Sequence, residues 1–336
     1  MIEAIVIRET GQDAKGRPVR SAAVEQVDED FLGDGDVTVE VHYSSLNYKD
    51  GLALTGRPGV VRTTPLIGGI DLAGIVREST SPRWQPGDPL VLTGAGLSET
   101  RHGGLTTLAK IDGALAVSPT PFSLAQAAAI GTAGYTAALC VRKLTDAGIT
   151  PADGPVLVTG ASGGVGTVAT MILATLGFEV HASTGRIEEH GPLLTGLGAS
   201  QLVAHDALTE PGRPLQKATW AGVVDSVGGT VLANAIAQTK PGGVVAACGL
   251  AGSADLPATV MPFILRGVTL AGVDSVWAPL ESREKAWRLL ADTVDVAKLE
   301  ALTTTVAFAD AISAAAARLA GRAHGRTLVA VRGDGA

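Results

Sequence analysis

In the first third of the chain apolar and polar positions alternate by twos, as in Val37–Val41 (VTVEV), and turn sequences cut the short runs: DGD at 34–36, RPG at 57–59, PGD at 86–88, HGG at 102–104. Period-two spacing between frequent turns predicts a mostly β domain. From Phe122 the spacing changes to Ala-rich helical stretches (SLAQAAAIGTAGYTAALCVRKL), and then to apolar runs alternating with helices. PVLVTG (155–160), FEVHAS (178–183), LVAHD (202–206), AGVVDSVGG (221–229), VVAACG (244–249) and VTLAGV (268–273) read as strands, apolar as strands buried on both faces are. Between the first two, apolar residues at 165, 168, 169, 172, 173 and 176 make a helical stripe that ends at Gly177. This β-α-β-α order predicts an α/β fold, a doubly wound parallel sheet with helices on both faces. The last run, GRTLVAV (325–331), is a further strand placed to return to the first domain. The expected division is a β domain over 1–121, completed by 300–336, and a nucleotide-binding domain over 122–299.

Composition narrows the class. A chain of 336 residues that is 46% hydrophobic and 18% charged has material for two cores and little tendency to disorder. No run reaches the about 18 unbroken apolar residues of a membrane span, and MIEAIVIRETG has no signal-peptide pattern, so a cytoplasmic protein is expected. With a net charge of −7 and no basic run, no nucleic-acid or membrane surface is expected. Cys140 and Cys248 lie far apart without a second ligand at metal spacing, so neither a zinc site nor a disulfide framework is expected.

The stretch VTGASGGVG (158–166) carries the chemistry. Gly160, Gly163, Gly164 and Gly166 stand between a strand and an amphipathic helix, where a tight turn lets backbone N–H groups and the positive helix end meet a pyrophosphate. The competing reading is a structural turn. A Walker A loop needs a lysine that Thr167 does not supply, and a short-chain dehydrogenase needs Tyr-x-x-x-Lys after the turn, whereas Tyr43, Tyr48 and Tyr135 all precede it. At the end of the second strand, Ser183-Thr184-Gly185-Arg186 offers hydroxyls and a cation rather than the acid of an NAD site, which points to the 2′-phosphate of NADPH; a solvated surface arginine is the alternative for Arg186.

SSLNYKDGLALTG (44–56), PLIGGIDLAG (65–74) and GTAGYTA (131–137), ahead of the glycine turn, resemble the medium-chain dehydrogenase/reductase superfamily over nearly the whole chain. Within it, LNYKD, TGASGGVG, STGR, VAACGLAG, VMPFILRGVTLAGVDS and GRTLV look like the acryloyl-CoA reductase group, formerly called YhdH-type quinone oxidoreductases. The resemblance implies a GroES-like N-terminal domain, a Rossmann domain, NADPH and a homodimer. Zinc dehydrogenases of this superfamily carry Gly-His-Glu where this chain has Gly69-Ile70-Asp71 and a cysteine near Asn47, so a zinc-independent enzyme is implied.

The implied reaction is hydride addition to the β-carbon of an α,β-unsaturated acyl-CoA, acryloyl-CoA above all. Asn47 and Tyr48 are the candidate catalytic residues in a cleft between domains, with Tyr48 against the nicotinamide end; a merely packing tyrosine is the alternative. Lys49 and Asp50 read equally well as a surface ion pair. By resemblance, Ser162, Gly163, Gly164 and Val165 line the pyrophosphate, and Thr184, Gly185 and Arg186 take the adenosine phosphate. Leu250, Ile264 and Ser275 surround the nicotinamide and its ribose, and Arg326 closes the site. His205 stands where close relatives tend to have arginine. Arg57, Arg62, Arg101 and Arg266 are candidates for CoA phosphates. Two other functions fit the same cofactor: a quinone or enone reductase, and a non-catalytic NADPH-binding protein.

Overall fold

The alternating stretches become paired strands in the computed structural model, which describes residues 1–332. β1 (Ile2–Gln12) and β2 (Pro18–Val27) form an antiparallel hairpin. β3 (Val37–Leu46) follows and runs into the short helix α1 (Tyr48–Leu54). β4 (Leu66–Ile67) adds to β1, and β5 (Asp71–Ser79), β6 (Pro89–Thr93) and β7 (Leu108–Ile111) complete the N-terminal set. Alternation places Val37, Val39 and Val41 on one face of β3, where they pack with Leu72, Val76, Leu90 and Leu92.

α2 (Leu124–Asp146) is bent at Gly131, whose φ of 48° is left-handed. The second half then alternates as its apolar spacing predicts. β8 (Val156–Val158), α3 (Gly164–Thr175), β9 (Val180–Thr184), α4 (Ile187–Leu197), β10 (Gln201–Ala204), α5 (Asp206–Thr209), β11 (Trp220–Asp225), α6 (Gly229–Ala237), β12 (Thr239–Ala247), α7 (Met261–Arg266) and β13 (Thr269–Gly272) follow in turn. The parallel sheet has the order β10-β9-β8-β11-β12-β13, so chain direction across the sheet reverses between β8 and β11. The central strands β8 and β11 are buried at every residue, which accounts for their unbroken apolar sequence. Two expected boundaries move: β11 stops at Asp225 because Gly228 and Gly229 take φ of 75° and 59° in the turn beyond it, and β12 starts at Thr239 rather than Val244.

After α8 (Leu280–Thr293) and α9 (Val296–Ala301), β14 (Thr303–Ala307), α10 (Ala311–Leu319) and β15 (Arg326–Ala330) close the fold. β15 pairs antiparallel with β3 and parallel with β14, giving β14-β15-β3-β5-β6 with β7 on β3. The return of the C-terminal strand to the N-terminal sheet is thus observed. Contacts divide the chain into a first unit of Met1–Thr132, Val276–Glu284 and Leu299–Ala336, and a second of Ala133–Ser275 and Lys285–Lys298. Against the expected 121/122 boundary, the first unit runs on to Thr132, because the Thr132 N–H and hydroxyl both bind Asp71.

Leu157, fully buried in β8 beneath Val223 and Val245, carries this packing for the second unit. Leu157→Ala is expected to lower stability by about 2–5 kcal/mol, read as a reduced urea midpoint of the tryptophan fluorescence of Trp220; a midpoint equal to wild type would refute the assignment.

Candidate active site

The first unit carries a buried polar cluster built from five separate stretches of chain. Asp71 opens β5, and its carboxylate accepts from Ser45 Oγ at 2.6 Å, Asn47 Nδ2 at 2.7 Å and Thr132 N at 2.9 Å. Asp50 sits at the third position of α1, where it closes a capping box: its Oδ2 accepts from Asn47 N at 2.8 Å, and its Oδ1 from Ile70 N at 2.9 Å. Arg326, the first residue of β15, donates to the Ala129 carbonyl, to Asn47 Oδ1 at 3.3 Å and to Ser45 Oγ at 3.0 Å. Asp50, Asp71 and Arg326 are each 0% exposed. Burial and the neighbouring Asp71 push the Asp50 carboxyl up to about 7. Burial lowers the Arg326 guanidinium to about 10, with Arg318 adding to the effect and Asp71 and Asp50 opposing it. Gly131 leaves room for the cluster: a Cβ there would lie 2.6 Å from Asp71 Oδ2 and 2.9 Å from the Arg326 guanidinium.

The cluster revises three sequence expectations. Asn47 is 7% exposed and both ends of its amide are engaged, so it holds the start of α1 rather than presenting a free donor. Arg326 has no exposed surface, and its donors go to the protein rather than to a cofactor. Lys49 and Asp50 are not an ion pair: Lys49 Nζ reaches Glu99 at 2.6 Å while Asp50 is buried. Nearby, His102 accepts from Ile67 N at 3.0 Å, and burial lowers its pKa. Tyr48, by contrast, is 45% exposed on the helix start that Asn47 and Asp50 pin down. From the sequence, Asp71 receives no role and Asp50 only a surface pairing, because an aspartate at a strand start or in a helix first turn looks like an ordinary polar or capping residue.

A metal does not fit here. Zinc needs several lone-pair donors, preferably thiolate or imidazole, whereas Asp71 is ringed by an amide N–H, hydroxyls and a backbone N–H that already use its carboxylate oxygens.

In the second unit the glycine turn does what its spacing requires. Gly160 takes φ 57°, Gly163 N–H closes the turn on its carbonyl at 2.9 Å, and a Cβ at Gly166 would collide with that same carbonyl. No acidic residue and no side-chain cap occupies the first turn of α3, which starts at the carboxyl end of β8, where the sheet reverses, so the positive end of this helix is left uncompensated by side chains. Asp225, at the end of β11, accepts from Thr159 Oγ1 at 2.6 Å and Gly228 N at 2.8 Å and ties the two strand ends together; burial raises its pKa. β9 ends in Thr184, whose hydroxyl lies 3.3 Å from Ser162 Oγ and accepts from Arg186 N. Beyond it a cavity of about 420 Å³ is lined by Thr184, Gly185, Arg186 and His205 together with Glu188, Glu189 and Asp206. Arg186 is half exposed and 3.5 Å from Glu189. A hydroxyl and a guanidinium at the strand end itself, where an NAD site has its acid, fit the 2′-phosphate of NADPH, which would displace Glu189 from Arg186. Leu250 and Ile264 are 65% and 72% exposed, and Ser275 is partly buried.

Comparison with known proteins agrees with this geometry. The alcohol dehydrogenase GroES-like domain family matches residues 33–140, and the zinc-binding dehydrogenase family matches residues 164–292. An acrylyl-CoA reductase of Ruegeria pomeroyi is 47% identical over 98% of this chain and 99% of its own. Among solved structures, an oxidoreductase from Salmonella enterica in complex with NADP is 46% identical, with a TM-score of 0.93 over 98% of this chain and 99% of that one. A Bacillus subtilis protein with NAD bound is 38% identical, with a TM-score of 0.92 over 98% and 99%.

The cluster yields a pH test. Well below the ordinary aspartate value of 3.8, Asp50 is protonated folded and unfolded and contributes no pH dependence; from there up to about 7 the unfolded chain loses this proton first, so stability falls. Wild type is expected to lose up to about 4 kcal/mol through this group between pH 4 and 8, at 1.36 kcal/mol per pKa unit. Asp50→Asn should flatten the slope of unfolding free energy against pH in urea titrations. Equal slopes would mean that Asp50 titrates normally.

Proposed function

The chain belongs to the medium-chain dehydrogenase/reductase superfamily, in the group that contains the acrylyl-CoA reductases, and from that membership we propose that it reduces the C=C bond of an α,β-unsaturated acyl-CoA with NADPH, acryloyl-CoA giving propanoyl-CoA. The carrying observation is the pairing of an NADPH-type strand end, Thr184-Gly185-Arg186, with a catalytic unit whose buried cluster is organised around an arginine instead of metal ligands. When bound, NADPH supplies a hydride.

The protein's part is binding, orientation and charge stabilisation. Ser162, Gly164 and Val165 would hold the pyrophosphate through backbone N–H groups, with Gly163 closing the turn on Gly160, and Thr184, Gly185 and Arg186 the 2′-phosphate; Leu250, Ile264 and Ser275 are the candidates for the nicotinamide side. Reduction of an enoyl thioester places negative charge on its carbonyl oxygen. Tyr48 is the hydroxyl donor we assign to that oxygen. Asn47 and Asp50 act as positioning residues, holding the backbone of the α1 start so that the Tyr48 ring has one orientation. Arg326 offsets the charge of the two carboxylates beneath it.

We also assign a homodimer acting in the cytoplasm, where NADPH is regenerated. Among the described residues β13 is the last strand of its sheet, with one edge unpaired, and Val260 and Leu265, shortly before it in the chain, are 66% and 61% exposed. An open edge next to an apolar patch fits pairing with the same edge of a second copy.

Two measurements test this reading. Acryloyl-CoA with NADPH should give a kcat/KM at least about a hundredfold above benzoquinone or NADH, and Arg186→Ala should weaken NADPH by about tenfold, or 1.4 kcal/mol, while sparing NADH. Turnover of the quinone alone would move the assignment to quinone reduction. In sedimentation, wild type should run as a dimer and Val260→Asp/Leu265→Asp as a folded monomer; a dimeric double variant excludes this edge.

A further inference from the structure

Acyl-CoA binding poses a charge problem for a chain of net charge −7. The CoA carrier brings a pyrophosphate and a ribose phosphate at the far end of a long flexible arm, and cations free of other partners are needed to receive them. The structure removes two of the four arginines considered for that task. Arg266 is spent on backbone, donating to the carbonyls of Ala237, Thr239 and Gln216. Arg101 is paired with Asp112 at 3.2 Å.

Arg57 and Arg62 differ. Both are exposed, and among the described residues neither guanidinium has a hydrogen bond or ion pair. They stand on the loop that leaves α1, the helix that begins with Tyr48, and its seven residues span only about 10 Å. The loop is held at both ends. Gly56, at φ 69°, packs so tightly on β2 that a Cβ would collide with the Arg20 carbonyl, which sets Arg57 beside Arg20. Arg57 N–H also donates to the Leu52 carbonyl at 2.8 Å. Arg62 N–H donates to the Glu99 carbonyl at 2.8 Å, and the Glu99 side chain in turn holds Lys49, the neighbour of Tyr48, at 2.6 Å. Acids near this ridge are already engaged: Glu99 is paired with Lys49, Glu9 faces Arg20 across the β1–β2 ladder, and Asp112, which shares a cavity with Thr63, is paired with Arg101. The ridge therefore presents two exposed, unpaired guanidinium groups on an acidic molecule, on backbone fixed before any ligand arrives.

We propose that Arg57 and Arg62 form the site that receives the phosphates of the CoA carrier, so that the enzyme selects acyl-CoA over the same acyl group on a carrier without phosphates. This rests on the acyl-CoA reading above and names how its substrate is recognised. Because both guanidinium groups are exposed, their attraction acts through solvent and is screened by salt.

The test compares acryloyl-CoA with S-acryloyl-pantetheine, which presents the same thioester without the nucleotide. In Arg57→Ala/Arg62→Ala the ratio of kcat/KM for acryloyl-CoA to that for S-acryloyl-pantetheine should fall about tenfold, carried by KM for acryloyl-CoA, with Arg57→Lys/Arg62→Lys recovering most of it. In wild type, raising NaCl from low to physiological strength should lower that same ratio. A ratio within twofold of wild type in the alanine variant overturns the ridge while leaving acyl-CoA reduction intact. An equal rise in the KM for NADPH also overturns it, because the arginines would then serve the cofactor. Wild-type protein that reduces neither thioester overturns the acyl-CoA reading itself, and the ridge with it.

Discussion

Two carboxylates and a guanidinium, all without solvent, set the terms for the first unit. An isolated buried aspartate costs several kcal/mol, and two of them side by side cost more. Here Asp50 and Asp71 are accommodated by hydrogen bonds from Asn47, Ser45, Thr132 and the Ile70 N–H, with Arg326 acting on them through charge and through its own bonds to Asn47 and Ser45. These groups come from the end of β3, the start of α1, the start of β5, the first half of α2 and β15. Each element must arrive for the charges to be satisfied, so the C-terminal strand is bound to the N-terminal sheet by electrostatics as well as by its ladder. The positive charge among these acids belongs to a side chain of the protein, and this is the physical difference from a metal-dependent dehydrogenase on the same scaffold.

The same cluster explains how a short helix presents an exposed tyrosine with order. α1 has seven residues, too few to be stable through propensity alone. Its first turn is locked by the Asn47–Asp50 capping box, and Asp50 is locked in turn by Ile70. The side chain of Tyr48 stays exposed at the helix start. The second unit solves a different problem with the same economy: Asp225, buried between β8 and β11, binds the turns after both strands and so shapes the glycine loop from behind.

Much of this was written in the spacing of residues. The alternation of Val37–Val41, the apolar strands of the parallel sheet and the glycine turn at 160–166 each obey local rules of backbone geometry, and local rules survive in a bare sequence. The strand end at Ser183–Arg186 was legible for the same reason: a hydroxyl and an arginine in place of an acid are a local substitution with a local meaning. What a residue touches is not local. Asn47 and Arg326 lie 279 positions apart, and no periodicity links them. Asp50 beside Lys49 looked like a surface pair until the β5 start buried it against Asp71, and Arg57, Arg62, Arg101 and Arg266 were indistinguishable until tertiary contacts engaged two of them. The elements, their order and the glycine turn after β8 follow from neighbours along the chain, and so they can be read from the residues alone. Which charges are buried, which are engaged and which stay exposed follows from neighbours in space, because burial and Coulomb partners exist only once the chain has folded.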